Sequence, residues 1–144
     1  MRKSKLVVDP LFDFDLVGLI SHAKGYRIAW ELNRTLEVQL IKAKDQIIRF
    51  NDGNAITVVN YYYKTENAGL FLLRNRSIET KESGQMLLIP ELQEFDFFLK
   101  IKGADSFDAE EIAKIVRNIK IIQYSSLIDP INLKSKENLV FDYE

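Results

Sequence analysis

His22 is the single histidine of the chain and directly follows Ser21. A hydroxyl nucleophile and its base need converging side chains and a third group that orients the base. Sequence neighbours diverge, so His22 reads as a surface histidine where a helix begins. Glu91, Glu94 and Asp96 are the acids closest in spacing to an acid–base pair. Asp96 alternates with Phe95 and Phe97, which turns it to the outer side of a sheet, and nothing sets a second acid at catalytic distance. Solvation or a salt bridge to a nearby Lys is the expected role for these acids. Asn51-Asp52-Gly53-Asn54 lacks the spaced ligands and bidentate Glu of a calcium loop, and reads as a turn. The six glycines are scattered and form no phosphate-binding G-x-G-x-x-G or G-K-[ST] loop. Cysteine is absent, which excludes disulfides, thiolate catalysis and Cys-ligated metals. No catalytic, cofactor-binding or metal residue is assigned.

One aromatic–basic constellation remains. Tyr61-Tyr62-Tyr63-Lys64 is followed, after a turn, by Arg74 and Arg76. Aromatics flanked by arginine can stack unpaired bases. However, the tyrosines alternate faces, so at most Tyr61 and Tyr63 share one. Ordinary strand packing is the simpler reading of the run. Lys134-Ser135-Lys136 forms a small basic patch near the end of the chain.

Composition sets the frame for these residues. The chain has 144 residues, which suits one domain with one good core. Hydrophobic residues make up 47% and charged residues 28%, which is globular and not disordered. Lys plus Arg number 20 against 21 for Asp plus Glu, a net charge of -1, so no global field recruits nucleic acid. The basic start is followed by three apolar residues before Asp9 and Pro10, too few for a signal core. No run reaches the ~18–20 apolar residues of a membrane span. The expected compartment is the cytoplasm.

The elements follow from periodicity and punctuation. Residues 14–20 read as a strand. A helix follows over 24–36, with Ser21 as a candidate cap and a broad stripe of Ala29, Leu32 and Leu36 flanked by Tyr26 and Trp30. Strands are expected at 37–42, 46–50, 55–64 and 70–74, with Asp52-Gly53 as a hairpin turn between the second and third. Residues 77–88 read as a loop. From Phe95 to Lys102 the period is two, so Phe95, Phe97, Leu99 and Ile101 are expected to point together into the core. Asp108 is an N-cap with Glu111 three residues on. Phe107 can staple onto Ile112, and Ile112, Ile115, Val116 and Ile119 form one helical face. A strand over 121–127 follows. A tail, 132–144, could add an edge strand at Leu139-Val140-Phe141.

Ile89-Pro90-Glu91-Leu92-Gln93-Glu94-Phe95-Asp96-Phe97 resembles the signature of the bacterial IPExxxVDY family, with Phe95 and Phe97 at its Val and Tyr positions. Residues 26–33 and 133–141 are similar to further segments of that family. The resemblance implies a small cytoplasmic protein. It implies no activity and carries over no catalytic residue.

The expected fold is therefore α+β: one domain, an antiparallel or mixed sheet of about six strands with two helices on one face, an expanded ferredoxin-like arrangement. Two helices ~10 Å apart cover one face of a sheet roughly 29 Å wide. The 55–63 and 14–20 strands look apolar on both sides, so the second face is expected to meet a second copy or a permanent protein partner. The expected function is protein–protein contact without catalysis. A small-ligand or RNA-binding module is the alternative. Tyr61, Tyr63, Arg74, Arg76, Glu91, Lys134 and Lys136 are the candidate contact residues.

Overall fold

A computed structural model describes residues 13–49, 53, 55–77, 87–103 and 107–140. Strand β1 (Asp15–Ile20) leads into helix α1 (Gly25–Leu36). Five strands follow: β2 (Ile41–Lys42), β3 (Gln46–Arg49), β4 (Ala55–Val58), β5 (Asn60–Lys64) and β6 (Gly69–Arg74). A 3-10 turn (Pro90–Leu92) precedes β7 (Phe97–Lys102), α2 (Ala109–Arg117) and β8 (Tyr124–Ile128). Six strands form one sheet in the order β2-β5-β6-β7-β1-β8, and β3-β4 form a separate hairpin. Every pairing is antiparallel. Within the sheet, β8-β1-β7-β6 with α1 and α2 reproduces the split β-α-β-β-α-β arrangement. Strands β5 and β2 extend it at one edge. The protein is α+β, an expanded ferredoxin-like fold.

Both helices lie on one face. Val17, Leu19, Leu72, Leu99 and Ile101 meet Ile28 and Leu32 of α1 and Ile112 and Val116 of α2 in one core. Helix α2 starts where its sequence says. Asp108 Oδ1 accepts hydrogen bonds from the amides of Glu110 (3.1 Å) and Glu111 (3.4 Å), satisfying two of the amides a helix start leaves free.

Helix α1 departs from expectation. Its buried face is Ile28, Ala29 and Leu32, while Tyr26 and Trp30 are 62% and 60% exposed. At roughly 100° per residue, those two lie more than a quarter turn from the centre of that stripe. Ser21 is not its cap. Lys24 holds that position and makes no side-chain cap bond. The helix ends at Glu37, whose left-handed backbone (φ 56°) turns the following Val38 amide back to the Asn33 carbonyl (3.2 Å). That turn leaves only Ile41–Lys42 as strand in the expected 37–42 segment.

The strand expected at 55–64 is two strands. It breaks at Val59, where β4 leaves to pair with β3 while β5 stays in the main sheet. The hairpin folds over the second face of the sheet, burying Ile56 and Val58 there. Phe95 lies before β7 and packs on this second face with Phe98, opposite Phe97. The last strand spans Tyr124–Ile128 and not 121–127. The tail adds no edge strand within the described residues. It winds through 3-10 turns at Pro130–Asn132 and Lys136–Leu139, and Phe141 lies outside the described residues. So does most of the expected loop, whose ends meet at the Arg76–Leu87 bridge.

The second face is thus covered by the chain itself. Leu88 and Ile89, Phe95, the hairpin and the tail residues Leu133 and Leu139 close over Leu16, Phe71, Leu73 and Phe98. The apolar surface that suggested a partner on this face is internal, because segments distant in sequence lie over it.

Candidate functional site

Six of the seven candidate contact residues fall into two groups, and Tyr63 stands apart, packed against the first core. Glu91, Lys134 and Lys136 lie with the tail. Glu91 Oε2 accepts the Ser135 amide (2.7 Å) and its Oε1 accepts the Ser135 hydroxyl (2.8 Å). Burial pushes the Glu91 carboxyl up, but the bonds from its own amide, from Ser135 and from Lys134 bring it below its ordinary value. Asn138 Nδ2 donates to Leu88 O (2.8 Å), and buried Lys100 Nζ donates to Leu139 O (2.7 Å). Lys100 Nζ also lies 4.8 Å and 5.3 Å from the ring centroids of Phe14 and Phe71. These contacts fasten the tail to the second face. Lys134 is exposed and Lys136 half-buried.

The signature segment is held by Asn75, a fully buried residue that sequence reasoning passed over. Its Nδ2 donates to Leu92 O (3.1 Å) and Phe95 O (2.8 Å), and its Oδ1 accepts the Ile89 amide (2.9 Å). A lone Asn after a strand reads as a turn residue, so nothing local marked it. Asp96 Oδ2 accepts the Ser21 amide (2.9 Å), tying the same segment to the approach to α1.

Tyr61, Arg74 and Arg76 belong to the second group. Tyr61 and Tyr63 face the helix layer, partly buried against the first core, whereas Tyr62 packs on the other face. Tyr61, Arg74 and Arg76 line a cavity of about 470 Å³ with His22, Lys24 and Tyr26. Asp96 and Phe97 complete its wall. Its rim is pinned from several sides. Ser21 Oγ donates to Ile121 O (2.6 Å) and accepts the Ala23 amide (3.1 Å), and the His22 amide donates to Gln123 Oε1 (3.2 Å). Gly25 lets α1 start here. A Cβ on it would lie 3.2 Å from the Tyr61 ring and 3.5 Å from the Phe97 ring.

The site is cationic. Among the described residues, Lys24, Arg74, Arg76 and His22 line it with one carboxylate, Asp96, which the Ser21 amide already engages. Helix α1 has no acidic residue in its first turn. The Arg27 and Ile28 amides bond back to Lys24 O, leaving the Gly25 and Tyr26 amides at the positive end of the helix dipole. Such a site attracts an anion, and Tyr26, Tyr61 and Phe97 supply a flat apolar wall beside it. Neither face of the sheet is an open platform for stacking bases, since helices cover one and the hairpin and tail the other.

Among the described residues, no group of three or more His, Asp or Glu comes together to hold a metal, and no helix is long and apolar enough to cross a membrane. No family model matches the chain, and no curated protein matches it significantly.

Proposed function

We propose that this protein is a non-catalytic binding module for a small anionic ligand, taken up at the start of α1. The observation that carries the reading is the 470 Å³ cavity in which, among the described residues, the cations Lys24, Arg74 and Arg76 outnumber the carboxylates, of which Asp96 is already bonded, beside aromatic walls. Its volume falls within the range of small-molecule sites. Arginine presents a planar fork to carboxylate or phosphate oxygens, and the start of α1 adds oriented amides. The groups come from four separate parts of the chain, and hydrogen bonds at Ser21, His22, Ala23 and Asp96 hold the segment that carries Lys24. We further propose that the chain belongs with the IPExxxVDY family, on the residues that carry the resemblance, and that it works in the cytoplasm, as that resemblance implies.

Thermal shift and calorimetric titration with inorganic phosphate, pyrophosphate, a dicarboxylate and a nucleoside monophosphate test the ligand reading. A ligand at about 100 times its Kd adds about 2.7 kcal/mol of stability. Binding should weaken with salt and disappear in Arg74→Glu. An unshifted melt with all four anions, or equal binding by Arg74→Glu, would overturn it.

Protein–protein contact is the second reading, and the outer face of α1 favours it. Trp30 is exposed, with the Arg34 guanidinium 5.0 Å from its ring centroid and Tyr26 one turn away. Trp, Tyr and Arg are the residue types that anchor interfaces. Affinity capture from native extract, with wild type and Trp30→Ala in parallel, tests this. A stoichiometric partner lost in the variant supports the reading, and recovery of no partner counts against it.

A further inference from the structure

We propose that two copies of this chain join edge to edge through β8, forming a closed two-fold dimer with one continuous sheet. Among the described residues, strand β8 is the outermost strand of the main sheet, bonded to β1 on one side only. The other edges are blunted in the usual ways. Strand β2 has two residues and ends in Lys42, and β3 is flanked by Lys44 and Asp45 and ends in Arg49. Strand β8, Tyr-Ser-Ser-Leu-Ile, is five residues long with no charge and no proline. Exposed apolar residues surround it, with Tyr124 at 47%, Leu127 at 45% and Ile131 at 43%.

The strand suits its own reverse. An antiparallel pairing centred on Ser126 sets small Ser126 against its copy and Tyr124 against Ile128 of the second copy, an aromatic–aliphatic cross-strand pair. Tyr124 is already steadied by stacking on Phe95, with ring centroids 6.4 Å apart.

Helix α2 completes the match. It packs on β8 and β1, about 5 Å inboard of the proposed axis when strands lie ~4.8 Å apart. The two copies of α2 would then run antiparallel at about 10 Å, an ordinary helix-packing distance. The side of α2 toward the edge is marked by Arg117, whose Nη2 donates to Ser125 O (3.1 Å). Glu110 and Lys114 share that side with Arg117 at helical spacing. The two-fold brings the acidic first turn of one α2 to the basic last turn of the other. This charge complementarity repeats on both sides of the axis, and a net charge of -1 opposes association little.

Sedimentation equilibrium of the full chain, up to about 100 µM, reads the result against the 16.7 kDa monomer. Wild type should give twice that mass. Ser126→Lys places like charges directly opposite each other and should weaken the dimer at least about tenfold, with an unchanged circular dichroism spectrum. Lys114→Glu should also weaken it, and adding Glu110→Lys should restore it. Should Ser126→Lys fail to fold, hydrogen exchange on wild type decides, with β8 amides gaining protection as concentration rises. A wild-type monomer at the highest concentration, a dimer indifferent to Ser126→Lys, or β8 exchange independent of concentration would overturn the proposal.

Discussion

Replacing Asn75 with alanine isolates the contribution of one buried amide to the whole signature segment. The change removes three hydrogen bonds, at 2.8, 2.9 and 3.1 Å, and leaves the carbonyls of Leu92 and Phe95 and the amide of Ile89 without that partner. A buried bond contributes about 1 kcal/mol net, and a buried group left unsatisfied costs about 1–3 kcal/mol. Partial relaxation keeps the sum near 3–5 kcal/mol, a large share of a net stability of about 5–15 kcal/mol. With an unfolding entropy of about 2.1 cal/mol/K per residue, a chain of this length changes by about 0.3 kcal/mol per degree, so Tm should fall about 10–17 °C. Urea titration should show the same loss as a lower midpoint with an unchanged slope. Asn75→Asp should be worse than Asn75→Ala above the carboxylate range, since it turns an acceptor toward two carbonyls. A Tm loss under about 3 °C for Asn75→Ala, equivalent to about 1 kcal/mol, would refute the role assigned to Asn75.

The remaining predictions concern single residues. Burial, helped by the charge of Lys102, lowers the Lys100 ammonium from 10.5 to about 8. The unfolded chain holds that proton longer, so stability should rise by up to about 3 kcal/mol as pH rises from 8 toward 10.5; urea titrations across that range should show the rise in wild type and not in Lys100→Met. The lowered Glu91 carboxyl gives the opposite sign: its contribution is present above the ordinary carboxylate value and lost as pH falls through the lowered one. Glu91→Gln should remove that acid step, measured as proteolytic sensitivity of the tail against pH. Asp108→Ala should cost roughly 0.5–2 kcal/mol by urea denaturation, with no change in the α1 cavity. Gly103→Ala should unfold or severely destabilise the protein in a thermal melt, because its φ is +78° and a Cβ would lie 2.4 Å from the backbone oxygen of Asn67.

Two of the candidate residues, Arg74 and Arg76, follow one aromatic run in sequence and reach the cavity together with Tyr61. That grouping was legible because adjacent antiparallel strands bring such residues side by side. Their other neighbours were not. His22 and Lys24 come from the approach to α1, and Asp96 from the approach to β7. Separations of 20 residues and more leave no periodic trace. Glu91 and Lys134 were read as surface groups, and only the fold shows Glu91 holding Ser135 across 44 residues.

Local physics made the rest of the fold readable. The period-two run ending at Ile101 marks β7, the Asp108 cap and the spacing of Ile112 and Val116 mark α2, and Asp52-Gly53 separates β3 from β4. Each is a short-range steric or hydrogen-bond preference that a few neighbouring residues express alone. The tertiary structure decided which surfaces meet. An apolar strand face looks the same to the sequence whether a helix, a tail or another molecule covers it. So the break at Val59, the outward turn of Tyr26 and Trp30, and the closing of the second face by Leu133 and Leu139 emerged only in three dimensions. Burial is non-directional and carries no address, and the partner of each apolar face is chosen by the folded chain as a whole.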